Sequence, residues 1–340
     1  MIYRPSLSYN DVLLVPKYSD IISRKEVDIS SPLDSYRTLD LPIISSPMDT
    51  ITESTMANTM AKAGGLGIIH RYNSIEMQVQ QAYQVQDHDK KAAAIGITGD
   101  YLERVQALYE VGVRILCLDV AHGHHILMKK AIENLKSLYS DIHIMAGNVA
   151  TQSGFEDLSS WGADSIRCNI GGGSICSTRT QTGHGVPGLQ TIFDCFSANV
   201  KRDVKIIADG GIRNSGDMVK ALAAGADFVM VGSLLAGSIE TPGDIIYSSD
   251  GKKRKIYRGM ASKEAQHSWR GKHSSNEGIS TTVGYKGSTS NILNDLERGI
   301  RSGLSYSGAR NLTELQVNAE FIIQTPSGQV ESGTHILTRV

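Results

Sequence analysis

Residues 205–237 read KIIADGGIRNSGDMVKALAAGADFVMVGSLLAG, and one complete unit of the architecture can be taken from them. An apolar run, Lys205–Ala208, stops at Asp209-Gly210-Gly211. SGDMVKALAAGA follows with helical periodicity and closes on a glycine; a second apolar run, Phe228–Val231, then stops at Gly232-Ser233. Short, nearly continuous apolar runs mark strands buried on both faces of a parallel sheet. A glycine after the last periodic residue is a helix stop. The unit is therefore strand, crossover helix, parallel strand.

Working outward, the same unit recurs. The other runs are Pro42–Ser46, Gly67–His70, Ala93–Ile97, Ile115–Val120, Ile142–Ala146 and Ser165–Ile170, which makes eight in all. Between them lie helical patterns such as STMANTMAKAGG, DYLERVQALYEVGV and HHILMKKAIENLKSLYS. Alternating β and α units give right-handed parallel crossovers, and eight of them predict closure into a (β/α)8 TIM barrel. Such barrels take ~250 residues and tolerate insertions, so the 340-residue chain is expected to be one barrel domain spanning 1–340. The rival is a doubly wound open sheet. It is disfavoured because no GxGxxG follows the first strand and polar residues follow nearly every strand.

Bulk properties exclude several classes. A hydrophobic content of 40%, a charged content of 20% and a net charge of −1 describe an ordinary globular protein, with no global pull toward nucleic acid or an anionic membrane. No segment approaches the ~20 apolar residues of a membrane span, and MIYRPSLSYNDVLLVP lacks the pattern of a signal peptide. Cys117, Cys168, Cys176 and Cys195 form no CxxC pair and are too few for a disulfide scaffold, so a reducing, cytoplasmic location is expected.

Barrel active sites form where the strands end. Those ends carry Ser45 to Asp49, His70-Arg71, Thr98-Gly99, Asp119 to His122, Gly147-Asn148, Asn169 to Gly173, Asp209 to Gly211 and Gly232-Ser233. Any one of these could merely cap the next helix; eight sets on one rim point to a site. The glycines after the seventh and eighth strands suit a phosphate, bound by backbone N–H groups and by the N-terminus of a short helix. The plainer alternative is that Gly210 and Gly211 only make a tight turn. Asp209 could accept bonds from a ribose diol.

The loop after the sixth strand, NIGGGSICSTRTQTGHGVPG, is too rich in glycine to start an ordinary helix. Only here does a cysteine, Cys176, lie among polar donors with Arg179 nearby, as a nucleophilic thiolate requires. Cys117 and Cys168 fall in strand patterns and Cys195 in the helical run TIFDCFSANV, so these read as core.

GGGSICSTR resembles the catalytic loop of the IMP dehydrogenase/GMP reductase family. SSPMDTITE, CLDVAHG, the GN of MAGNVAT, ADGGIRNSGD, GADFVMVGSLLAG and YRGMAS are similar to further blocks of that family, in its order, from Tyr9 to Glu331. Gly172 departs from the pattern, where the loop usually has proline; this is expected to loosen the loop. The resemblance implies that Cys176 attacks C2 of a purine nucleotide, forming a thioimidate, while Thr178 manages the proton of the leaving or entering group. It implies a monovalent cation, K+, on the carbonyls of Gly171, Gly173 and Cys176. Ser174, Asp209, Gly210, Gly211, Gly232 and Ser233 would hold ribose and phosphate, with Tyr257, Arg258, Gly259 and Met260 completing the nucleotide pocket. Asp119, Val120 and Ala121 would face the nicotinamide. The catalytic loop would span about 170–188 and a flap about 258–290.

Two activities remain. A dehydrogenase of the family hydrolyses its intermediate with an Arg-Tyr pair on the flap, whereas a reductase handles ammonia with a Thr-Glu pair. The interval after Met260, ASKEAQHSWRGKHSSNEGISTTVGYKG, has no Arg-Tyr dipeptide and is short; Glu277 stands as the partner of Thr178, and Arg270 as a lone substitute for the missing pair. No regulatory CBS insertion fits between Arg71 and Ala93, and the Thr182-Gly183 step is reductase-like. SSPMDTITE, IRSGLSYSGA and EFIIQTPSGQVESGTHI look more like dehydrogenases. The expectation is a GMP reductase acting on GMP to give IMP. The alternatives are an IMP dehydrogenase using NAD+, a non-catalytic purine-nucleotide-binding relative, or a non-redox phosphate-binding barrel with a structural Cys176. NADPH is expected because Ser23, Arg24 and Arg71 match positions where the reductases contact its 2′-phosphate, to which arginine is suited. Ser23 and Arg24 would reach in from a neighbouring subunit of a homotetramer. The plainer reading of Arg24 is a surface charge.

Overall fold

The computed structural model describes residues 4–201, 203–271 and 277–333; Arg270 belongs to a helix, but its side chain lies outside the described part. Eight parallel strands close on themselves: β1 (Ile43–Ser45), β2 (Leu66–Ile69), β3 (Ala92–Ile95), β4 (Ile115–Asp119), β5 (His143–Val149), β6 (Ser165–Cys168), β7 (Lys205–Asp209) and β8 (Phe228–Val231). Closure is made by β8 on β1, with Val229 opposite Ile43 and Val231 opposite Ser45, which removes the open-sheet alternative. All eight expected runs are strands. Their ends shift by one to three residues. Pro42 has no N–H to give to a ladder, and Asn169 leaves β6 with φ +154°.

Helices follow each strand: α1 (Ser54–Lys62), α2 (Ile75–Tyr83), α3 (Tyr101–Glu110), α4 (Ile126–Leu138), α5 (Gln152–Ser160), α6 (Gly188–Ala198), α7 (Ser215–Ala223) and α8 (Thr289–Tyr306). Side-chain alternation sorts the strands into two layers. Ile43, Ile95, Leu116, Leu118, Ile206 and Val229 join the layer beneath the helices. Ile44, Leu66, Ile68, Cys117, Met145, Ile207 and Phe228 fill the barrel interior.

The alternation also decides what stands at each mouth. At the N-terminal mouth a two-stranded hairpin (Ser31–Pro32 with Thr38–Leu39) inserts Leu33 and Leu39 among the interior residues. Its turn places Asp34 against buried His143, Oδ2 to Nδ1 at 3.1 Å, and His143 Nε2 lies 2.8 Å from Ser165 Oγ. Arg37 donates to Asp34 at 2.6 Å. Burial pushes the Asp34 carboxyl up, but the bonds from His143 and from the Tyr36 N–H, with the charge of Arg37, outweigh it and hold the carboxyl far below the usual range. A carboxylate favoured by the fold adds stability above its unfolded pKa, and that stability disappears as pH falls through the folded value. Asp34→Asn is accordingly expected to cost roughly 1–2 kcal/mol at neutral pH, allowing for partial solvent screening. The gap between the melting curves of wild type and variant should begin to narrow as pH falls through about 4, the unfolded carboxylate range, and keep narrowing in stronger acid. A gap that persists unchanged in acid would show that the carboxylate charge is not what the plug uses.

Two insertions rise over the C-terminal mouth. One is the loop between β6 and α6, which carries a short helix, Thr178–Thr182. The other, between β8 and α8, contains β9 (Ile246–Tyr247), β10 (Lys253–Arg258), the flap helix Lys263–Arg270 and β11 (Ser280–Gly284), the three strands pairing antiparallel. Among the described residues, no helix is long and apolar enough to cross a membrane.

Candidate active site at the C-terminal mouth

Counting by twos from the interior residues brings Asp119 on β4, Arg167 on β6 and Asp209 on β7 into the mouth. Gly147 on β5 stands between Asp119 and Arg167 in register, and a Cβ there would lie 2.7 Å from that of Arg167. Its absence lets the guanidinium cross to Asp119, NH2 to Oδ1 at 2.7 Å, with Asp209 Oδ2 at 3.8 Å from NH1. Asp119 Oδ2 also receives Arg71 Nε at 3.3 Å and the Tyr72 hydroxyl at 3.3 Å. Burial raises the Asp119 pKa, but Arg167 and Arg71 more than reverse this and hold it below its ordinary value. Asp209 goes the other way. Burial raises it beyond what Arg167 and the bond from Asn148 Nδ2, at 2.9 Å, can offset.

One cavity of about 320 Å3 runs across the mouth. At one end Ser174, Gly210, Gly211, Gly232, Ser233 and Tyr257 line it; at the other, Arg71, Tyr72, Asp119, Val120 and Ala121. Gly210 and Gly211 adopt φ +86° and +79°, and a Cβ on Gly210 would lie 3.2 Å from Gly173 N. Glycine is thus required there by conformation and by close approach. The helix expected after β8 is a single hydrogen-bonded turn, with Ala236 N donating to Gly232 O at 2.9 Å. Burial raises the Tyr257 hydroxyl above its ordinary value despite its bond with Ser174 (3.4 Å), so it stays protonated and able to donate to an anion.

Cys176 lines the same cavity. It is exposed, whereas Cys117, Cys168 and Cys195 are buried. Burial pushes Cys117 up to about 12, which keeps it a protonated core thiol. Cys176 Sγ is 3.1 Å from Thr178 Oγ1, and Thr178 donates to Glu277 Oε2 at 2.8 Å. Glu277 is distant in sequence, and the backbone brings it in. Ser177 N donates to Glu277 O (3.0 Å), Ile279 N to Ile175 O (3.1 Å), and Cys176 pairs with Gly278 in an antiparallel bridge. The insertion after β8 and the loop after β6 are zipped together strand to strand, so a thiol, a hydroxyl and a carboxylate stand in successive contact.

Several expected positions fall elsewhere. Arg258 turns away from the cavity: its Nε and NH2 donate to Asp49 Oδ2 at 2.9 and 2.5 Å, and NH1 to Ser268 at 3.3 Å, tying the β1 rim to the flap helix. Ser23 caps the exposed turn Arg24–Glu26, and neither Ser23 nor Arg24 lines the cavity of their own chain. Arg71 lines it, but its Nε and NH2 are engaged by Asp119, and its guanidinium lies 4.7 Å from the Tyr72 ring centre and 5.6 Å from that of Trp269. Arg167, Asn148 and Tyr72 are cavity residues that were given no role from the sequence. The signal for Arg167 was a cation inside an apolar strand pattern, in phase with the interior.

A nicotinamide ring is compatible with the Asp119 end, where Val120 and Ala121 follow β4 and the aromatic Tyr72 lines the same cavity as Cys176. The proposed cation carbonyls fit less well within one chain. Gly173 O already accepts Cys176 N–H at 3.1 Å, and the Arg179 guanidinium is bonded to the neighbouring carbonyls of Ile170 and Val186.

The sequence matches the family described as IMP dehydrogenase / GMP reductase domain over residues 6–335. Inosine-5′-monophosphate dehydrogenase of Nitrosopumilus maritimus is 33% identical over 472 aligned positions, covering 98% of this chain and 99% of that protein. The enzyme of the same name from Borreliella burgdorferi is 36% identical over 399, with 98% of each covered. Among solved structures, a cysteine-to-alanine variant of GMP reductase from Trypanosoma brucei, in complex with guanosine 5′-monophosphate, superposes with a TM-score of 0.93 at 29% identity, covering 99% of both chains.

Proposed function

This chain belongs to the IMP dehydrogenase / GMP reductase family, and within it we propose an NADPH-dependent GMP reductase that works through a covalent bond to Cys176. The observation that carries this reading is the line Cys176–Thr178–Glu277, at 3.1 and 2.8 Å, the Thr-Glu pair suited to ammonia chemistry. The Cys176 thiolate adds to C2 of GMP. The C2–N bond then breaks and ammonia departs with a proton relayed from Glu277 through Thr178, leaving the purine joined to sulfur as a thioimidate. NADPH, when bound, supplies the hydride that C2 accepts. The C–S bond then breaks, its electron pair returns to the thiolate, and IMP is released. The balance is GMP, NADPH and two protons to IMP, NADP+ and ammonium.

Ser174, Gly211, Gly232, Ser233 and Tyr257 hold the phosphate in this reading, and Asp209, made less acidic by burial, takes the ribose hydroxyls. Asp119, Val120 and Ala121 face the nicotinamide. A contact of Arg71 with a 2′-phosphate has to compete with its bonds to Asp119; Ser23 and Arg24 act across a subunit boundary, as a homotetramer would allow. No step depends on a cation.

IMP dehydrogenase is the second reading, favoured by the names of relatives 31–37% identical over nearly the whole chain. The sequences differ in length as well: 472 aligned positions against a 340-residue chain place a long insertion in the Nitrosopumilus protein that is missing here. The Borreliella alignment, at 399, shows that a protein of that name can carry much less of it. One assay matrix decides between the readings, GMP with NADPH against IMP with NAD+. Oxidation of NADPH with release of ammonia is the expected outcome; XMP formation from IMP and NAD+ replaces this proposal with the second.

A further inference from the structure

We propose that Asn169 and Arg179 form a side-chain clamp that sets the catalytic loop in place of a rigid residue at Gly172. The proposal rests on the reading of Cys176 as the reacting thiol. Asn169 is buried at the end of β6 and is a non-glycine residue with φ +154°, a conformation that favours glycine. Its amide explains why asparagine is there. Nδ2 donates to Gly210 O at 3.2 Å, in the loop after β7, and Oδ1 accepts Arg179 NH2 at 3.3 Å, in the catalytic loop. The Asn169 carbonyl accepts Asn148 Nδ2 at 3.0 Å, and the same Nδ2 reaches Asp209.

Arg179 completes the clamp. Its Nε donates to Ile170 O at 3.1 Å and its NH2 to Val186 O at 2.5 Å, pinning the two ends of the loop where a bridge already joins them. The side chain threads between Gly171 and Gly185, where a Cβ would come within 2.5 Å of Arg179 Cγ and 2.6 Å of its Nε. Gly172 is bound into the same arrangement. A Cβ at 172 would lie 2.1 Å from Asn169 Nδ2, so any side chain there fits only if the amide leaves its bonds to Gly210 and Arg179. Asparagine at 169 and glycine at 172 are thus one device. The amide occupies the volume that a proline ring at 172 would need, and it couples the loop to the nucleotide end of the cavity. Gly172 then does not loosen the loop, contrary to the expectation from its sequence. Asn169 is a positioning residue, since it acts on Cys176 through Arg179 and the loop.

The test compares wild type, Asn169→Gly, Gly172→Pro and the double variant, reading trypsin cleavage after Arg179 by mass spectrometry, together with kcat, the nucleotide KM and Tm. Loss of a hydrogen bond to a charged group predicts about tenfold or faster cleavage in Asn169→Gly, and a kcat lower by about the same factor. KM should move less than kcat, because Asn169→Gly removes one bond to the Gly210 carbonyl but none of the side chains read as holding phosphate or ribose. Tm should hold or rise, since glycine tolerates the positive φ better than asparagine. Gly172→Pro alone should free the loop similarly, whereas the double variant should return toward wild type in both cleavage and kcat, the ring now filling the vacated volume. Unchanged cleavage in Asn169→Gly, or a double variant as loose as the worse single one, overturns the clamp. Cleavage is read without turnover, so the clamp stands or falls on it even if the assignment of the reaction fails.

Discussion

Replacing Cys176 by alanine is expected to abolish turnover, by at least about four orders of magnitude, while the nucleotide still binds within a few-fold of wild type. The two halves of that expectation rest on different parts of the cavity. The reaction needs a sulfur that can bond to carbon and later leave; Cys176 is the exposed thiol in the mouth and lies 3.1 Å from Thr178 Oγ1. In the proposed reading binding rests on the loops after β7 and β8 and on Tyr257, which line the same cavity and make no use of that sulfur. Calorimetric titration with GMP and a sensitive assay of NADPH oxidation measure the two separately. Retained activity would remove the covalent mechanism. A variant that fails to fold would mean the thiol is packed, against its exposure here. Alkylation by a reagent directed at C2-reactive thiols should label wild type at residue 176 and spare Cys117, which burial holds at a pKa of about 12.

The barrel was readable because its strands are buried on both faces: a run such as Phe228–Val231 has to be apolar throughout, and nothing but a turn follows it. The same uniformity hid Arg167. A single cation inside an apolar run says nothing about its partner until closure of the sheet sets Asp119 and Asp209 on the same interior layer. Arg258 failed for the opposite reason. Its neighbours Tyr257 and Gly259 line the cavity, but alternation along β10 turns the residue between them to Asp49 on the β1 rim. Glu277 was paired with Thr178 only through resemblance. Local patterns do not reveal that Ser177, Ile279 and Gly278 stitch the flap to the loop through backbone bonds. Gly172 marks the limit most clearly. Glycine in a loop suggests freedom, and the volume it leaves is taken by a side chain three residues earlier.

The choice between the two activities turns on Glu277, and Glu277→Gln is the change expected to separate them. Glutamine keeps an acceptor oxygen for the Thr178 hydroxyl, so the 2.8 Å contact and the seating of the loop should survive. What it removes is a group that can give up and take a proton. In a GMP reductase that proton makes ammonia a leaving group, and its loss should slow deamination by ~10²–10⁴-fold while GMP affinity stays close to wild type. The hydride step asks nothing of this carboxylate. Followed in reverse with IMP and NADP+ in the absence of ammonia, the half-reaction should therefore be far less affected than full turnover. Equal losses in both would mean that Glu277 only supports the loop. If instead wild type converts IMP and NAD+ steadily to XMP, water has to be activated without an Arg-Tyr pair. Glu277 would then belong to a hydrolytic relay through Thr178, and Arg270 would be the next residue to replace.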